Sequence, residues 1–216
     1  MSRVRVKICG ITSIQDLHAA VEAGADAVGF VVETPQSPRT LSIKEAKQLI
    51  RETPIFVETV AVTVPEDLSH LEKVYEELSP DIIQVHDSSH LYEKIRKRLH
   101  DARVIGAVQA RPDIDIDSIL KVAAGFDAIL LDSYVPGKLG GSGEPHDWKI
   151  SKRIRDLIDP KPLILAGGLR PENVKEAIHT VKPYAVDVSS GVEKKPGVKD
   201  REKIFQFVKN AREAEI

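Results

Sequence analysis

Leu163-Ile164-Leu165-Ala166-Gly167-Gly168-Leu169, Pro171-Glu172-Asn173-Val174 and Ala185-Val186-Asp187-Val188-Ser189-Ser190-Gly191 decide the fold. A short apolar run ends in two glycines. Pro171 then stands where a first helical residue belongs, and Val174, Ala177, Ile178 and Val181 share one helical face. A second apolar run ends in Ser-Ser-Gly. This is one strand–helix–strand unit, read from a change of period from two to 3.6.

The same unit repeats outward in both directions. The spacing predicts strands over Val4–Cys9, Ala27–Val32, Phe56–Val64, Ile82–His86, Val104–Val108 and Ala128–Asp132, besides Leu163–Ala166 and Ala185–Val188. Helical faces lie between them. Thr12 with Gln15 and Ser42 with Glu45 have the spacing of capping boxes. Asp147 and Asp200 are placed to cap later helices, and Gly24 stops the first. Eight units in 216 residues leave 27 residues each. Strict alternation demands parallel strands joined by crossover helices. Eight of them predict an α/β protein with a closed (β/α)₈ TIM barrel, one domain over residues 1–216.

Composition excludes several classes. The chain has 31 basic and 33 acidic residues, a net charge of −2, which gives no electrostatic pull toward nucleic acid or an anionic membrane. One cysteine permits neither an intrachain disulfide nor a cysteine-rich zinc site, and fits a reducing compartment. No apolar run approaches the roughly 20 residues of a membrane span. The start, Met1 to Lys7, is charged where a signal peptide is apolar. A cytoplasmic location is expected.

In a barrel of this kind the chemistry lies at the carboxyl ends of the strands. Two of those ends, Gly167-Gly168 and Ser190-Gly191, are adjacent and rich in backbone and hydroxyl donors, as a phosphate cradle requires. Alternation on the first strand turns Arg5, Lys7 and Cys9 inward. Cys9 is then either a small buried hydrophobe or a thiolate favoured by Lys7. Lys7 needs a counter-charge, for which Asp187 is the candidate, and a purely structural pair is the other reading. Asp132 closes an apolar strand. It is either a raised-pKa proton donor or a cap for the loop that follows. Arg39, after the second strand, can hold a carboxylate or lie solvated. His86 has no partner at ligand spacing, so no metal site is expected. Leu139 to Gly143 reads as a flexible lid.

Taken with Lys7-Ile8-Cys9-Gly10-Ile11-Thr12, Gly24-Ala25-Asp26-Ala27-Val28-Gly29-Phe30, Gln84-Val85-His86, Leu130-Leu131-Asp132, Gly140-Gly141-Ser142-Gly143 and Asp187 to Glu193, the chain resembles the phosphoribosylanthranilate isomerase family of tryptophan biosynthesis. The likeness runs in order from residue 3 to about residue 208. It implies a ribulose-phosphate-binding barrel without cofactor or metal. It further implies an Amadori rearrangement with Cys9 as base and Asp132 as acid. Arg39 would bind the anthranilate carboxylate, and Gly168, Ser190 and Gly191 the phosphate, with His86, Gly167 and Asp187 beside the substrate. The expected partner is a small phosphorylated substrate, the expected state a monomer or homodimer. Thr63-Val64-Pro65, Asp87-Ser88-Ser89 and Glu144-Pro145-His146 depart from the family's usual residues, in loops and pocket walls. A related dual-substrate isomerase is disfavoured, because that group places aspartate where Cys9 stands. A non-catalytic barrel is disfavoured by the presence of both Cys9 and Asp132. A chain taken from a fused biosynthetic enzyme is the third alternative, and the complete set of eight units makes it self-sufficient.

Overall fold

The computed structural model describes residues 3–86, 92–111, 115–133 and 147–214. The lid segment Leu139–Gly143, Asp87-Ser88-Ser89 and Glu144-Pro145-His146 lie outside the described residues. The elements run β1 (Arg5–Cys9), α1 (Ile14–Glu22), β2 (Ala27–Val32), β3 (Thr40–Leu41), α2 (Ile43–Glu52), β4 (Glu58–Thr63), α3 (Leu68–Leu78), β5 (Ile82–Val85), α4 (Tyr92–Arg98), β6 (Arg103–Ala110), α5 (Ile116–Gly125), β7 (Ala128–Ser133), α6 (Trp148–Ile158), β8 (Leu163–Leu165), α7 (Val174–Val181) and β9 (Ala185–Val188). A 3₁₀ turn (Ser190–Val192), β10 (Glu193–Lys195), β11 (Val198–Lys199) and α8 (Arg201–Arg212) complete the chain.

Strand order is β1-β9-β8-β7-β6-β5-β4-β2, and β1 also pairs with β2, so eight parallel strands close into a barrel. The short β3 pairs in parallel with the end of β2 at Val31 and Val32. The β10–β11 hairpin is antiparallel and separate from the barrel.

Side-chain alternation divides the apolar residues into two populations. Outward residues such as Val6, Ile8, Val28, Phe30, Ile83, Val85, Leu131 and Val186 pack against the helices in one large core. Inward residues form two smaller clusters. One holds Ile105, Leu130, Ile164, Ala166 and Ala185, the other Cys9, Val60 and Val62. The expected inward set on β1 therefore holds for Lys7 and Cys9. Arg5 does not join it. It sits at the amino-terminal mouth, exposed, with its guanidinium 4.3 Å from the centre of the Tyr184 ring.

Three of the expected helix starts form as the local sequence predicts. Ser42 and Glu45 form a reciprocal capping box, and Asp147 and Asp200 cap α6 and α8. Gly24 follows α1 at φ +89°, the left-handed stop. Other ends differ. Ser13, not Thr12, caps α1, accepting from the Asp16 N–H, because the Thr12 hydroxyl donates instead to the distant Gly197 carbonyl at 2.6 Å. Pro171 lies in a turn before α7. The Asn173 side chain closes that turn, accepting from the Arg170 N–H and donating to the Gly168 carbonyl. Phe56 is not in a strand: at φ +72° it turns the chain and is 97% exposed beside Ile55. Sheet pairing begins two residues later, where the Glu58 N–H meets the Asp26 carbonyl.

Candidate active site

At the carboxyl end of the strands lies a cavity of about 540 Å³, within the range of small-ligand sites. Its wall includes Cys9, Arg39, Thr63, Gln84, His86, Asp132, Asp187 and Ser189. Five of the nine residues singled out from the sequence therefore meet there: Cys9, Arg39, His86, Asp132 and Asp187. Gly167, Gly168, Ser190 and Gly191 form the adjoining loops. Those loops are pressed together, since a Cβ on Gly191 would fall 1.9 Å from the Leu169 carbonyl oxygen. Gly167, at φ +81°, also packs on Asp132: a Cβ there would fall 2.7 Å from the Asp132 carboxyl and 2.2 Å from the Ser133 nitrogen.

Lys7 and Asp187, on adjacent strands, form the expected buried pair, Nζ to Oδ1 at 3.0 Å. Burial alone would lower the Lys7 pKa. The negative charges of Asp187 and Cys9 outweigh it and raise the pKa, so the ammonium persists.

The same pairing corrects the expectation for Cys9. Lys7 and Lys199 do favour its thiolate, but burial and the nearby Asp187 prevail, and the thiol pKa is raised above its ordinary value. Cys9 lies against Gly29 of β2, its register partner. A Cβ on Gly29 would fall 2.8 Å from the thiol sulfur and 3.1 Å from Lys7 Cε. The space for the thiol is thus the missing side chain of the neighbouring strand.

Asp132 carries a pKa pushed up to about 6. Burial is the main cause and repulsion from Asp187 the second. The Ser133 N–H, donating to Oδ1 at 2.8 Å, and the charge of Lys7 oppose them. His86 is pushed down to about 4 by burial and by Lys7, so its imidazole is neutral at pH 7. The Gln84 amide donates to His86 Nε2 at 2.8 Å, which leaves the imidazole proton on Nδ1. Two wall atoms, Thr63 Oγ1 and Gln84 Oε1, are buried without a partner among the described residues. Both residues line the cavity.

Gln84, Gly29, Glu193 and Lys199 were not singled out from the sequence. Gln84 had a signal, since it lies two residues before His86 and so on the same face. Glu193, half of an ion pair with Arg39, and Lys199 had none that was local. Among the described residues no three His, Cys, Asp or Glu side chains are grouped to hold a metal ion, and no helix is long and apolar enough to cross a membrane.

A family model described as N-(5'phosphoribosyl)anthranilate (PRA) isomerase matches residues 6–210. N-(5'-phosphoribosyl)anthranilate isomerase of Thiobacillus denitrificans is 45% identical over 97% of this chain and 98% of its own. The Methanothrix thermoacetophila protein of the same name is 46% identical over 96% and 98%. The crystal structure of phosphoribosyl anthranilate isomerase from Thermotoga maritima matches with a TM-score of 0.85 at 43% identity, over 96% of this chain and 98% of that one. An isomerase structure holding reduced 1-(o-carboxyphenylamino)-1-deoxyribulose 5-phosphate matches at 0.81 and 41%, over the same shares. Matched in sequence and in barrel along nearly its whole length, the chain belongs to the N-(5'-phosphoribosyl)anthranilate isomerase family.

Proposed function

We propose that the chain isomerises N-(5'-phosphoribosyl)anthranilate to 1-(2-carboxyphenylamino)-1-deoxyribulose 5-phosphate, with Asp132 as general acid and Cys9 as general base. One observation carries the assignment of roles. Two titratable groups share one cavity wall, and their surroundings set the carboxyl near 6 and the thiol above its usual 9.0. The Asp132 proton passes to the ribose ring oxygen as the C1–O bond breaks, giving a Schiff base. The Cys9 thiolate takes the C2 proton, and the electron pair moves onto the nitrogen. The enolamine then tautomerises to the ketone.

The working form has Cys9 ionised and Asp132 protonated. It contains the same number of protons as the resting form, in which Asp132 is ionised and Cys9 is a thiol. The working form is the minor one, because the Asp132 pKa is raised only to about 6 while the thiol pKa is raised above its ordinary value, and its share does not change with pH between the two. Neutral His86 presents its Nδ1–H as a hydrogen-bond donor. The loops at Gly167-Gly168 and Ser190-Gly191 hold the phosphate, and Arg39 holds the anthranilate carboxylate.

The test follows the loss of substrate fluorescence, with substrate generated in place, for wild type and Cys9→Ala. Loss in wild type and none above background in the variant supports reaction and base together. No loss with correctly folded wild type rejects the reaction, and equal loss in both rejects Cys9 as base.

A further inference from the structure

Beside the cavity lies a charged cluster that acid–base chemistry does not use. Glu193 begins β10 and Lys199 ends β11, their side chains 5% and 0% exposed. Glu193 accepts from Arg39 Nε at 2.7 Å and from Arg39 Nη2 at 2.8 Å, one hydrogen bond to each carboxylate oxygen. Lys199 Nζ donates to Glu193 at 3.0 Å and to the Ser189 carbonyl at 3.1 Å. The hairpin carrying both residues is tied down elsewhere: the Lys199 N–H reaches Asp16, Thr12 reaches the Gly197 carbonyl, and Lys203 reaches the Glu193 carbonyl. The Arg39 stem is wedged as well, since a Cβ on Gly10 would lie 2.5 Å from its Cδ.

A guanidinium offers five N–H groups in a rigid plane. Glu193 uses Nε–H and one Nη2–H. The opposite edge, made of Nη1 and the second Nη2–H, has no acceptor among the described residues, and Arg39 lines the cavity. That free edge matches the bidentate geometry of a second carboxylate. Glu193 by itself would cancel the charge of Arg39. Lys199 restores a net charge of +1 to the three side chains, so the edge stays attractive to an anion.

We propose that Glu193, backed by Lys199, is a positioning residue that aims the free edge of Arg39 at the aromatic carboxylate of the substrate. This rests on the isomerase reading above. The carboxylate lies on the ring, away from the reacting carbons, so its contacts act equally on ground and transition states.

Charge and orientation predict different results for Glu193→Gln, which makes the test decisive. Burial already lowers the Lys199 pKa, and Glu193 is what holds its proton, so removing the negative charge raises the net charge by at most one unit, and charge alone would leave KM unchanged or lower it. Loss of aim weakens it. The expected result is a KM for phosphoribosylanthranilate raised about tenfold or more, the scale of a charge-assisted hydrogen bond, with kcat within about threefold. N-(5'-phosphoribosyl)aniline, which lacks the carboxylate, would show no such rise. Should Glu193→Gln fail to fold with Lys199 unpaired, Glu193→Gln with Lys199→Met restores a net +1. Its KM is again expected to be raised, whereas charge alone predicts the wild-type value. An unchanged or lowered KM, or an equal rise for the aniline, overturns the positioning role. Wild type that fails to turn over phosphoribosylanthranilate strikes the isomerase reading instead.

Discussion

Asp132→Asn should inactivate the protein and stabilise it, and the size of the gain follows from the site. Folding lifts the Asp132 pKa from 3.8 to about 6. At about 1.4 kcal/mol per pH unit, keeping this carboxylate ionised costs the folded state about 3 kcal/mol. The carboxyl is partly open to the cavity, so solvent reduces the figure to about 2–3 kcal/mol. The sign follows from linkage: a carboxyl whose pKa is raised on folding costs nothing below pH 4, and its stability is lost as pH rises through 6. Asparagine keeps an oxygen to accept the Ser133 N–H and has no charge to desolvate. For a chain of this length the gain corresponds to a Tm about 5–10 °C above wild type at pH 8, shrinking to nothing near pH 4. Differential scanning calorimetry at the two pH values measures it, and turnover should fall by at least about 10²-fold. A Tm difference that is the same at both pH values, or a less stable variant at pH 8, would refute the account of Asp132 as a carboxyl strained by burial and by Asp187.

Three further outcomes are expected. The profile of kcat/KM against pH should rise to about 6, run flat, and fall only where the Cys9 thiol titrates, above the ordinary thiol range, because the working protonation state is a constant fraction between the two pKa values; a steady rise through pH 8 excludes Asp132 as a titrating acid. Lys7→Met should move the pH midpoint of Cys9 alkylation upward, since Lys7 is the main charge opposing the rise, and should destabilise by about 3–5 kcal/mol by leaving Asp187 buried and unpaired; an unmoved midpoint removes Lys7 from that role. Gly29→Ala should lower kcat about 10²-fold while circular dichroism stays native, because the added Cβ would fall 2.8 Å from the thiol sulfur and displace it; full activity would refute the need for a glycine beside the thiol.

Much of this was legible because a strand has a period of two. Once β1 was read as a strand, Lys7 and Cys9 had to share a face, and Asp187 on a neighbouring strand had to answer Lys7. The ion pair at 3.0 Å is that inference made physical. The Ser42–Glu45 capping box was legible because it is local, whereas the equally spaced Thr12–Gln15 box does not form. Three kinds of fact were not legible. Helix starts that answer to distant partners, as Thr12 answers Gly197, carry no local signal. Phe56 continues an apolar run and so reads as strand, yet pairing starts at Glu58, where a neighbouring strand supplies the first carbonyl. Depth of burial cannot be read from a lysine two residues away, and it decided the direction of the Cys9 pKa.

The charges at the mouth of the barrel follow one rule. Among the described residues each cation named at the mouth has a carboxylate, Lys7 with Asp187 and both Arg39 and Lys199 with Glu193. Among the described residues Asp132 receives the N–H of its neighbour and the pull of a lysine already engaged with Asp187. A carboxylate given a cation of its own would have a depressed pKa and would be useless as a proton donor near neutrality. Asp187 thus has two effects at once: it satisfies Lys7, and by doing so it denies Lys7 to Asp132 while repelling the charge Asp132 would carry. The acid is made by what its neighbours pair with. That is why its function could be weighed against a loop cap from the sequence but not separated from it until the register of β7, β9 and β1 was fixed.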